Sequence, residues 1–501
     1  MAAQVKRSKS SVHRHKQAWL GRNRHPESAL WETEAGQAWM KLLVVAVLYT
    51  FGMECHVGAD KLSHFFKLIR LDAHVGTSAS ALRKQMNQME KLLPLFQQYC
   101  ESLASGQRRQ AVVAADETFF GEFLILVLMD LSSGYLILED ISNDRCFETW
   151  LGKAAPRLQA LGIDVNHAVS DRAKALIKLA ITGFDCASGA DTFHAQQDVS
   201  KWLGAKLGRR KAQAEKQADG IATKSASTST GQPNTEHGQA CADSETALRD
   251  YHENLLGIGD EIHPFSVVDN SRNDSGKVIS RLEQRAQAFG AIAQAHDIAD
   301  SRQTLKKFRN QFSSLAAHVE FWWLWVMETL TGLAVDKATQ DWLTHRLLPV
   351  IYWHQQLHNS KNPTQREKYK QAWQRAAHAL QADAFSGAMP ENELQRWLEW
   401  AEWMAGKFHR SSSAVEGRNG YLSQMYHNGR GLTEKRLRAL TVIHNYGIKR
   451  LDGTTAAMRL FDQPFPDLFS WLVTEMGELP LPRQGNKRAT HNPLFLITVP
   501  S

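Results

Sequence analysis

The chain has 501 residues, of which 43% are hydrophobic and 22% are charged, and it carries a formal net charge of +7 with a pI near 9.0. These proportions are typical of a soluble globular protein and exclude a disordered or fibrous chain, and the length predicts two to four domains. The positive charge favours an anionic partner, most commonly nucleic acid, although a surplus this small also fits solvation alone.

Cysteine usage and hydropathy indicate the compartment. The five cysteines are scattered, with no CxxC pair and no zinc-finger spacing, which is typical of a protein from the reducing cytoplasm. The N-terminus is basic and lacks the apolar core of a signal peptide. The longest apolar runs, 42–53 and 321–335, are shorter than the roughly 18 to 20 residues of a membrane span. We therefore expect a cytoplasmic protein with buried core helices and no membrane contact.

Residues 1–35 form a basic N-terminal arm in this interpretation. No acidic residue precedes Glu27, and such an arm suits contacts with DNA phosphates. The candidate DNA-binding residues of the arm are Lys6, Arg7, Lys9 and Arg14.

Residues 36–105 are predicted to be helical, with helices near 38–52, in "ADKLSHFFKLIRL" and in "SASALRKQMNQMEKLLPLFQQYC". Two interpretations stay open. The segment forms either a helix-turn-helix (HTH)-like DNA-binding domain, whose last helix presents Arg83, Lys84 and Asn87 to a DNA groove, or a small helical bundle.

Strand patterns begin at residue 111, within the first core segment that starts at residue 106. The runs "AVVAADETFF", "EFLILVLMDL" and "GYLILEDIS" predict an antiparallel meander with bends at Phe120-Gly121 and at Ser132–Gly134. A helix with a break or kink near Pro156, a strand "DVNHAVSD" and a helix "RAKALIKLAITGF" follow. This β-β-β-α-β-α order is the order of an RNase H-like domain, in which the first and fourth strands are neighbours.

Two aspartates lie near the ends of those neighbouring strands, Asp116 on the first and Asp171 on the fourth. Their carboxylates are expected to converge at one edge of the sheet. Hard cations such as Mg²⁺ bind carboxylate oxygen, and a pair of such ions can activate an attacking oxygen and stabilise a leaving one in phosphodiester chemistry. Four other carboxylates compete for this role: Asp130, Asp140, Asp144 and Asp164. They fall at turns or strand ends, where exposure to solvent explains the presence of a charged residue.

Glu416 is the candidate third acid, in "RSSSAVEGRNGYLSQMYHNGRG". A helix from Ser413 to Tyr426 places Glu416, Asn419 and Ser423 on one face. The alternative is a capping box, in which Glu416 only holds the start of its own helix from Ser413.

Two further features of this segment favour a site. Gly417 and Gly420 each weaken a helix by roughly 1 kcal/mol relative to alanine, which indicates close approach by another backbone or a ligand. Arg410, Arg418 and Arg430 provide positive charge suited to phosphate.

Four motifs together, "VAADETFF", "AVSDRAKALI", "DTFH" and "SAVEGRNGYLSQMYHNGRGL", resemble those of bacterial DDE-type insertion-sequence transposases, whose core is RNase H-like. The resemblance implies that Asp116, Asp171 and Glu416 are catalytic and ligate two Mg²⁺ ions, with Mn²⁺ as an expected substitute. The spacing of Asp191 and His194 resembles the (C/D)xxH signature of hAT-like families. The auxiliary residues near the site are then Asp191, His194, Arg172, Arg418 and Asn419. The alternative for His194 is a hydrogen-bonded structural residue.

The resemblance also implies the domain organisation. The expected fold is α/β, an RNase H-like mixed sheet interrupted by a large all-α insertion and preceded by the HTH-like helical domain. Its segments are the first part of the core (106–201), a low-complexity linker or loop (202–276), a helical insertion (277–405), the second part of the core (406–462) and a C-terminal tail (463–501). The insertion is rich in tryptophan, which we expect mainly in its core rather than stacked on an unpaired base.

The implied activity is metal-dependent cleavage of DNA at the ends of an insertion sequence followed by strand transfer. Double-stranded DNA, as element ends and target, is then the partner, bound by a homodimer or a higher oligomer associated with the nucleoid. Two other functions stay open: an RNase H-like nuclease without strand transfer, such as a domesticated transposase, and a non-catalytic DNA-binding protein.

Overall fold

The structure is a computed structural model that describes residues 8–21, 25–225 and 235–482. The described chain is mainly helical and contains a five-stranded mixed sheet, which confirms the α/β class. It divides into two compact units, one formed by the described residues up to Ala104 and from Tyr421 onward, the other by Ser105 to Gly420. The segment predicted as the second part of the core, 406–462, is therefore shared between the two units.

The described part of the first unit is helical apart from an isolated β-bridge between Lys449 and Thr455. Ser78 caps its longest helix by accepting a hydrogen bond from the backbone N–H of Ala81 at 3.3 Å. The three helices predicted between residues 36 and 100 are confirmed. The helices of this unit are Lys9–Gly21, Ser28–Trp31, Glu34–Val47, Ala59–Leu68, Ala79–Leu103, Glu434–Val442, Ala456–Phe461 and Leu468–Glu475, with π-helical segments Leu48–Glu54, Tyr426–Arg430 and Ile443–Gly447 and a 3₁₀ turn at Leu71–Ala73.

One helical stretch of the described chain, Glu34–Glu54, is long and apolar enough to cross a membrane by length and composition. Half of its apolar window is buried inside the protein. Core helices of soluble proteins share this property, so the stretch is weak grounds for a membrane span.

The sheet of the second unit consists of β1 (Arg109–Phe120), β2 (Phe123–Asp130), β3 (Leu136–Ser142), β4 (Ile163–Ser170) and β5 (Ala187–Ala190). Its spatial order is β3-β2-β1-β4-β5, with β1 antiparallel to β2 and parallel to β4. Gly121 and Gly134 adopt positive φ angles of 57° and 77° at the two tight turns, a conformation that glycine reaches without a steric penalty. The predicted meander and the β1–β4 neighbourhood are confirmed.

Helices surround this sheet and continue to the end of the unit. They are Phe147–Leu161, Lys174–Lys178, Thr192–Val199, Ala205–Ser225, Thr235–Glu261, Ser275–Ala295, Thr304–Arg309, Phe312–Gly332, Lys337–Trp342, Leu348–Asn359, Pro363–Gln381, Ala384–Ala388, Glu391–Ala405 and the residues up to Gly420 of Ser413–Met425, with π-helical segments Leu179–Gly183, Ser200–Gly204 and Leu343–Leu347. The helix containing Pro156 continues through the proline without a break. The prediction of a flexible linker at 202–276 is wrong for most of its length, because two long helices occupy 205–225 and 235–261.

Most tryptophans of the helical region lie in its core. The buried ones are Trp322, Trp323, Trp325, Trp342, Trp353, Trp397 and Trp400. Several indole N–H groups donate to protein acceptors, as Trp322 does to the carbonyl of Met404 at 2.9 Å. The expectation of core packing is confirmed for these residues, whereas Trp403 is 43% exposed.

A buried histidine pair joins helix Phe312–Gly332 to the parallel strands. His318 Nε2 donates to the carbonyl of Ala190 on β5 at 2.7 Å, so its Nδ1 accepts from His167 Nε2 on β4 at 2.9 Å. Burial lowers the pKa of His318 to about 4 and lowers the pKa of His167, so both rings are neutral at physiological pH. The pair fixes the end of β5, directly before Asp191.

Gly189 on β5 makes room for this pair. A Cβ at this position would lie 2.1 Å from His318 Cε1 and 2.7 Å from His167 Nε2.

We expect Gly189→Ala to lower the free energy of unfolding by about 1–3 kcal/mol because the two rings must move apart. Chemical denaturation measures this change. Gly208→Ala is the matched control, since a Cβ there meets no atom within 4 Å. It should be neutral or stabilising by about 0.5–1 kcal/mol, and equal effects of the two substitutions would contradict the assigned packing.

Candidate active site

Asp116 and Glu117 are consecutive residues of β1, so their side chains lie on opposite faces of the sheet. Asp116 is paired with Val127 on β2, and Val127 is paired with Glu139 on β3. Directly paired residues share a face, so Asp116 and Glu139 lie on the same face, about 10 Å apart across three strands.

Asp116 is a largely buried carboxylate. Its Oδ2 accepts a hydrogen bond from Asn419 Nδ2 at 2.7 Å. Burial, the charge of Glu416 and the charge of Asp171 raise the pKa of Asp116 to about 7. Glu416 and Asp171 therefore each lie near enough to Asp116 for their charges to act on it, and we call these three residues the acid cluster.

Glu117 lies on the other face, and its side chain is 2% exposed. Oε1 accepts from the indole N–H of Trp150 at 3.2 Å, and Arg145 lies 3.7 Å from Oε2. Burial and then the charge of Asp171 raise the pKa of Glu117, against the lowering effect of Trp150 and Arg145. Asp171 thus influences carboxylates on both faces of β1.

Asp171 follows the last residue of β4. Its Oδ1 accepts from the backbone N–H of Ala173 at 2.9 Å, which holds the carboxylate at the strand end. Arg172 has a left-handed backbone, with φ of 69°, and its guanidinium donates to Ser314 Oγ. The side chain of Arg172 is thereby directed to helix Phe312–Gly332.

Asp191 and His194 form a hydrogen-bonded pair beside the acid cluster. His194 Nδ1 donates to Asp191 Oδ2 at 2.8 Å, and His194 Nε2 lies 3.8 Å from Glu416 Oε1. This hydrogen bond raises the pKa of His194, and the charges of Asp191, Glu416 and Asp116 add to the effect. Burial acts to raise the pKa of Asp191, but hydrogen bonds from His194 and Ser412 keep it below its ordinary value. His194 is thus a hydrogen-bonded residue, as the structural alternative expects. It also lies close to the acid cluster.

The helix Ser413–Met425, which we call the site helix, begins at this pair. Ser412 precedes its first residue and donates from Oγ to Asp191 Oδ2 at 2.6 Å. A capping box formed by Ser413 and Glu416 would require Ser413 to stand just before the helix. The alternative is therefore wrong, because Ser413 is already the first helical residue. Glu416 is instead 3.8 Å from His194.

A buried ion pair holds the site helix on the sheet. Arg418 Nε and Nη2 each lie 2.7 Å from an oxygen of Glu139 on β3, and the two side chains are 4% and 0% exposed. With Asn419 bound to Asp116 on β1, the helix is attached to the sheet at two strands. The expectation that Arg418 offers its charge to phosphate is therefore wrong, because its guanidinium is occupied by a buried carboxylate.

Other features of this segment also differ from expectation. The buried guanidinium of Arg410 donates to the carbonyls of Ile262, at 3.0 Å, and Gly259, so it is not open to phosphate. A Cβ added at Gly417 or Gly420 meets nothing within 4 Å, so no described backbone approaches them closely. The side chain of Arg430 lies outside the described residues.

The competing carboxylates have local partners. Asp130 accepts from the backbone N–H of Ser133 at 2.8 Å in the β2–β3 turn, and Lys153 contacts Asp140. Asp144 accepts from the N–H of Cys146 at 3.0 Å, and Arg108 lies 3.6 Å from Asp164. These contacts support their exclusion from the acid cluster.

The predicted DNA-binding residues belong to the first unit. Lys9 and Arg14 lie in helix Lys9–Gly21, whereas Lys6 and Arg7 are outside the described residues. Arg83, Lys84 and Asn87 are exposed on helix Ala79–Leu103, and Arg83 donates to Asp60 at 2.6 Å.

The acid cluster provides ligands that suit a hard cation. All three side chains offer carboxylate oxygen, and a cation would offset both the burial and the repulsion that raise the pKa of Asp116. Asn419 Oδ1 is buried without a hydrogen-bond partner among the described atoms and lies on the amide that contacts Asp116. No three His, Cys, Asp or Glu side chains in the described part of the chain form a ready-made metal-binding group. The acids fit a divalent cation by chemistry, but they are not a preformed cage.

Comparison with known proteins adds one partial match. A family model described as "Family of unknown function (DUF6399)" matches residues 343–488. The match covers less than a third of the chain and includes Glu416 but not Asp116 or Asp171. No curated protein matches the chain. The matched family carries no assigned function, so the chemistry of the acid cluster is what points to an activity.

Sequence reasoning missed two residues that organise the site, Glu139 and Ser412. Glu139 directly follows the apolar run "LIL" of β3, and a charged residue at such a position on a central face can signal a buried ion pair. Ser412 is one of three consecutive serines, and only the contact with Asp191 distinguishes it.

The raised pKa of Asp116 predicts how stability depends on pH in metal-free buffer. The unfolded carboxyl titrates near its ordinary value of 3.8 and the folded one near 7, so the native state binds more protons between these values. Stability due to this group should therefore fall as pH rises from about 4 to 7 and stay constant above 7.

Asp116→Asn removes this titration. The free energy of unfolding of the variant relative to wild type should rise across the same pH window, measured by urea denaturation with a chelator present. A difference that is independent of pH would contradict the assigned environment.

The buried ion pair predicts a strong coupling between Arg418 and Glu139. Arg418→Gln should lower the free energy of unfolding by about 3–5 kcal/mol because it removes the bidentate cationic partner of the buried Glu139 carboxylate. Adding Glu139→Gln should recover a large part of that loss in a double-mutant cycle. The exposed pair Arg309–Glu283, with N···O of 2.9 Å, is the matched control, and Arg309→Gln should cost at most about 1 kcal/mol. Additive effects of the two buried substitutions would contradict the role of the pair.

Proposed function

We propose that the protein is a DDE-type transposase that cleaves DNA at the ends of an insertion sequence and transfers the strand with divalent metal. The observation that carries the proposal is the acid cluster. Glu416 and Asp171 both act on the pKa of Asp116, although they come from positions far apart in the chain.

The topology supports an RNase H-like core. The order β3-β2-β1-β4-β5, with three antiparallel strands followed by two parallel ones, is the order expected for such a core. Helices from Ala205 to Ala405 separate β5 from the site helix, which fits an all-α insertion that begins earlier in the chain than the predicted 277.

Asp116, Asp171 and Glu416 would hold Mg²⁺, with Mn²⁺ as a substitute. Bound at these acids, two such ions would lower the pKa of an attacking water or 3′-hydroxyl and stabilise the leaving oxygen. Asn419 orients the Asp116 carboxylate through its 2.7 Å hydrogen bond. His194 carries a proton on Nδ1 toward Asp191, and its Nε2 faces Glu416, so it balances acidic charge when protonated.

Recognition of DNA is assigned to the first unit. The exposed Arg83, Lys84 and Asn87 on one capped helix are suited to a DNA groove, and Lys9 and Arg14 to phosphates. The partner is double-stranded DNA, as element ends and target, bound by a homodimer or higher oligomer at the nucleoid. A nuclease without strand transfer has the same acid cluster, and an assay for joined DNA products separates the two functions.

Asp116→Asn tests the proposal. Cleavage of duplexes carrying the inverted repeats that flank the coding region should be lost in Mg²⁺, because the variant lacks one ligand carboxylate, while gel-shift binding persists. Mg²⁺ should also raise the unfolding temperature of wild type more than that of the variant. Asp164→Asn is the matched control, since this exposed aspartate is paired with Arg108 and should leave both readouts unchanged. Unchanged cleavage by Asp116→Asn, or an equal loss of cleavage and binding, would refute the assignment.

A further inference from the structure

A continuous helical rod leads away from the candidate active site. Helix Thr192–Val199, which contains His194, is followed without interruption by the π-helical segment Ser200–Gly204 and by helix Ala205–Ser225. At about 1.5 Å per residue, the rod extends roughly 30 Å from His194 to Lys216. That length is close to one turn of B-DNA, about 34 Å.

Basic residues are concentrated on this rod. Residues 201–217 contain six basic residues and one acidic residue, a net charge of +5 in a chain whose total is +7. Lys201, Arg209 and Lys216 are exposed and follow His194 at intervals of seven, eight and seven residues. Each interval is about two helical turns, so the three side chains lie along the face that begins at His194. We call these three residues the basic stripe.

The charges of the basic stripe are not neutralised within the described chain. Lys201 contacts the amide oxygen of Gln197 at 2.6 Å and Arg209 contacts the carbonyl of Ala205 at 3.1 Å, but neither they nor Lys216 forms an ion pair with a described carboxylate. Lys211 on the same helix does, with Glu215 at 3.6 Å and Glu245 at 3.4 Å. Asp198 lies between His194 and Lys201 on this rod, so the cationic part begins beyond it.

The opposite face of the rod is already buried. Leu203 and Leu207 are 0% and 2% exposed, and Trp202, which lies between this face and the basic stripe, is 6% exposed. The helix therefore has no free apolar face with which to enter a lipid bilayer, so an anionic membrane fits poorly. A row of separated cations without an apolar companion suits a regularly spaced polyanion instead.

We infer that the basic stripe binds the phosphate backbone of duplex DNA and extends the contact of the DNA from the acid cluster along the rod. The inference rests on the proposed function, which makes DNA the substrate, and it adds the surface that holds the DNA beyond the cleaved bond. These contacts are to phosphates, so they contribute affinity at any base sequence.

The test compares full-length variants by fluorescence anisotropy with a duplex of unrelated sequence over a range of salt concentrations. The triple variant Lys201→Gln, Arg209→Gln and Lys216→Gln should weaken binding roughly tenfold or more near 0.1 M salt. It should also reduce the slope of log K against log salt by about 2 to 3, since each phosphate contact contributes about 0.9. Lys211→Gln should change neither quantity.

A charge-preserving variant, Lys201→Arg, Arg209→Lys and Lys216→Arg, should bind as wild type does. Its loss of affinity would overturn the inference, because phosphate contacts need charge and not one particular side chain. An unchanged salt slope in the glutamine variant, or an equal loss in Lys211→Gln, would also overturn it while leaving the proposed function intact. Failure of the wild-type protein to bind any duplex would instead refute the proposed function, and the inference with it.

Discussion

The burial of Asp116 in the sheet, close to the more exposed carboxylates of Glu416 and Asp171, is the constraint on which the rest of the site depends. Asp116 lies on β1 and accepts a side-chain hydrogen bond from Asn419, and burial together with Glu416 and Asp171 raises its pKa to about 7. Such a group needs a compensating positive charge, which is either a proton or a cation. The fold maintains this unfavourable arrangement because the elements that carry the acids are fixed by other contacts. A local free-energy cost of this kind, from a carboxylate with a raised pKa, is typical of functional sites.

Those other contacts lie on both sides of the acid cluster. The buried pair of Arg418 and Glu139 attaches the site helix to β3, and Ser412 attaches its start to Asp191 after β5. The histidine pair behind Gly189 fixes the end of β5 in turn. Glu416 thus belongs to a helix held at several points, and its position near His194 follows from contacts that are not themselves catalytic.

The same arrangement places the proposed DNA-binding stripe on the helical rod that carries His194. His194 lies next to Glu416 at one end of a helical rod, and unpaired basic side chains lie toward the other end. A segment whose composition is typical of a linker therefore continues the helix of His194 away from the candidate active site in its helical part. Hydrogen bonds of the site helix hold the acidic side chains where metal would bind. The basic stripe lies farther along the rod, at a distance from these acids that a DNA duplex can span.

The amino-acid sequence by itself determined the strand–helix order, the β1–β4 neighbourhood and the three candidate acids, because alternation, turn glycines and the capping serine act over a few residues. It did not determine the helices of 205–261, whose polar composition also fits a loop, nor the partners of Arg418 and Arg410. An isolated arginine has the same sequence signature whether it binds a phosphate or a buried carboxylate. Only the tertiary structure decided between them, because burial and the partner's distance set the energy of a charge and both depend on residues far away in the chain.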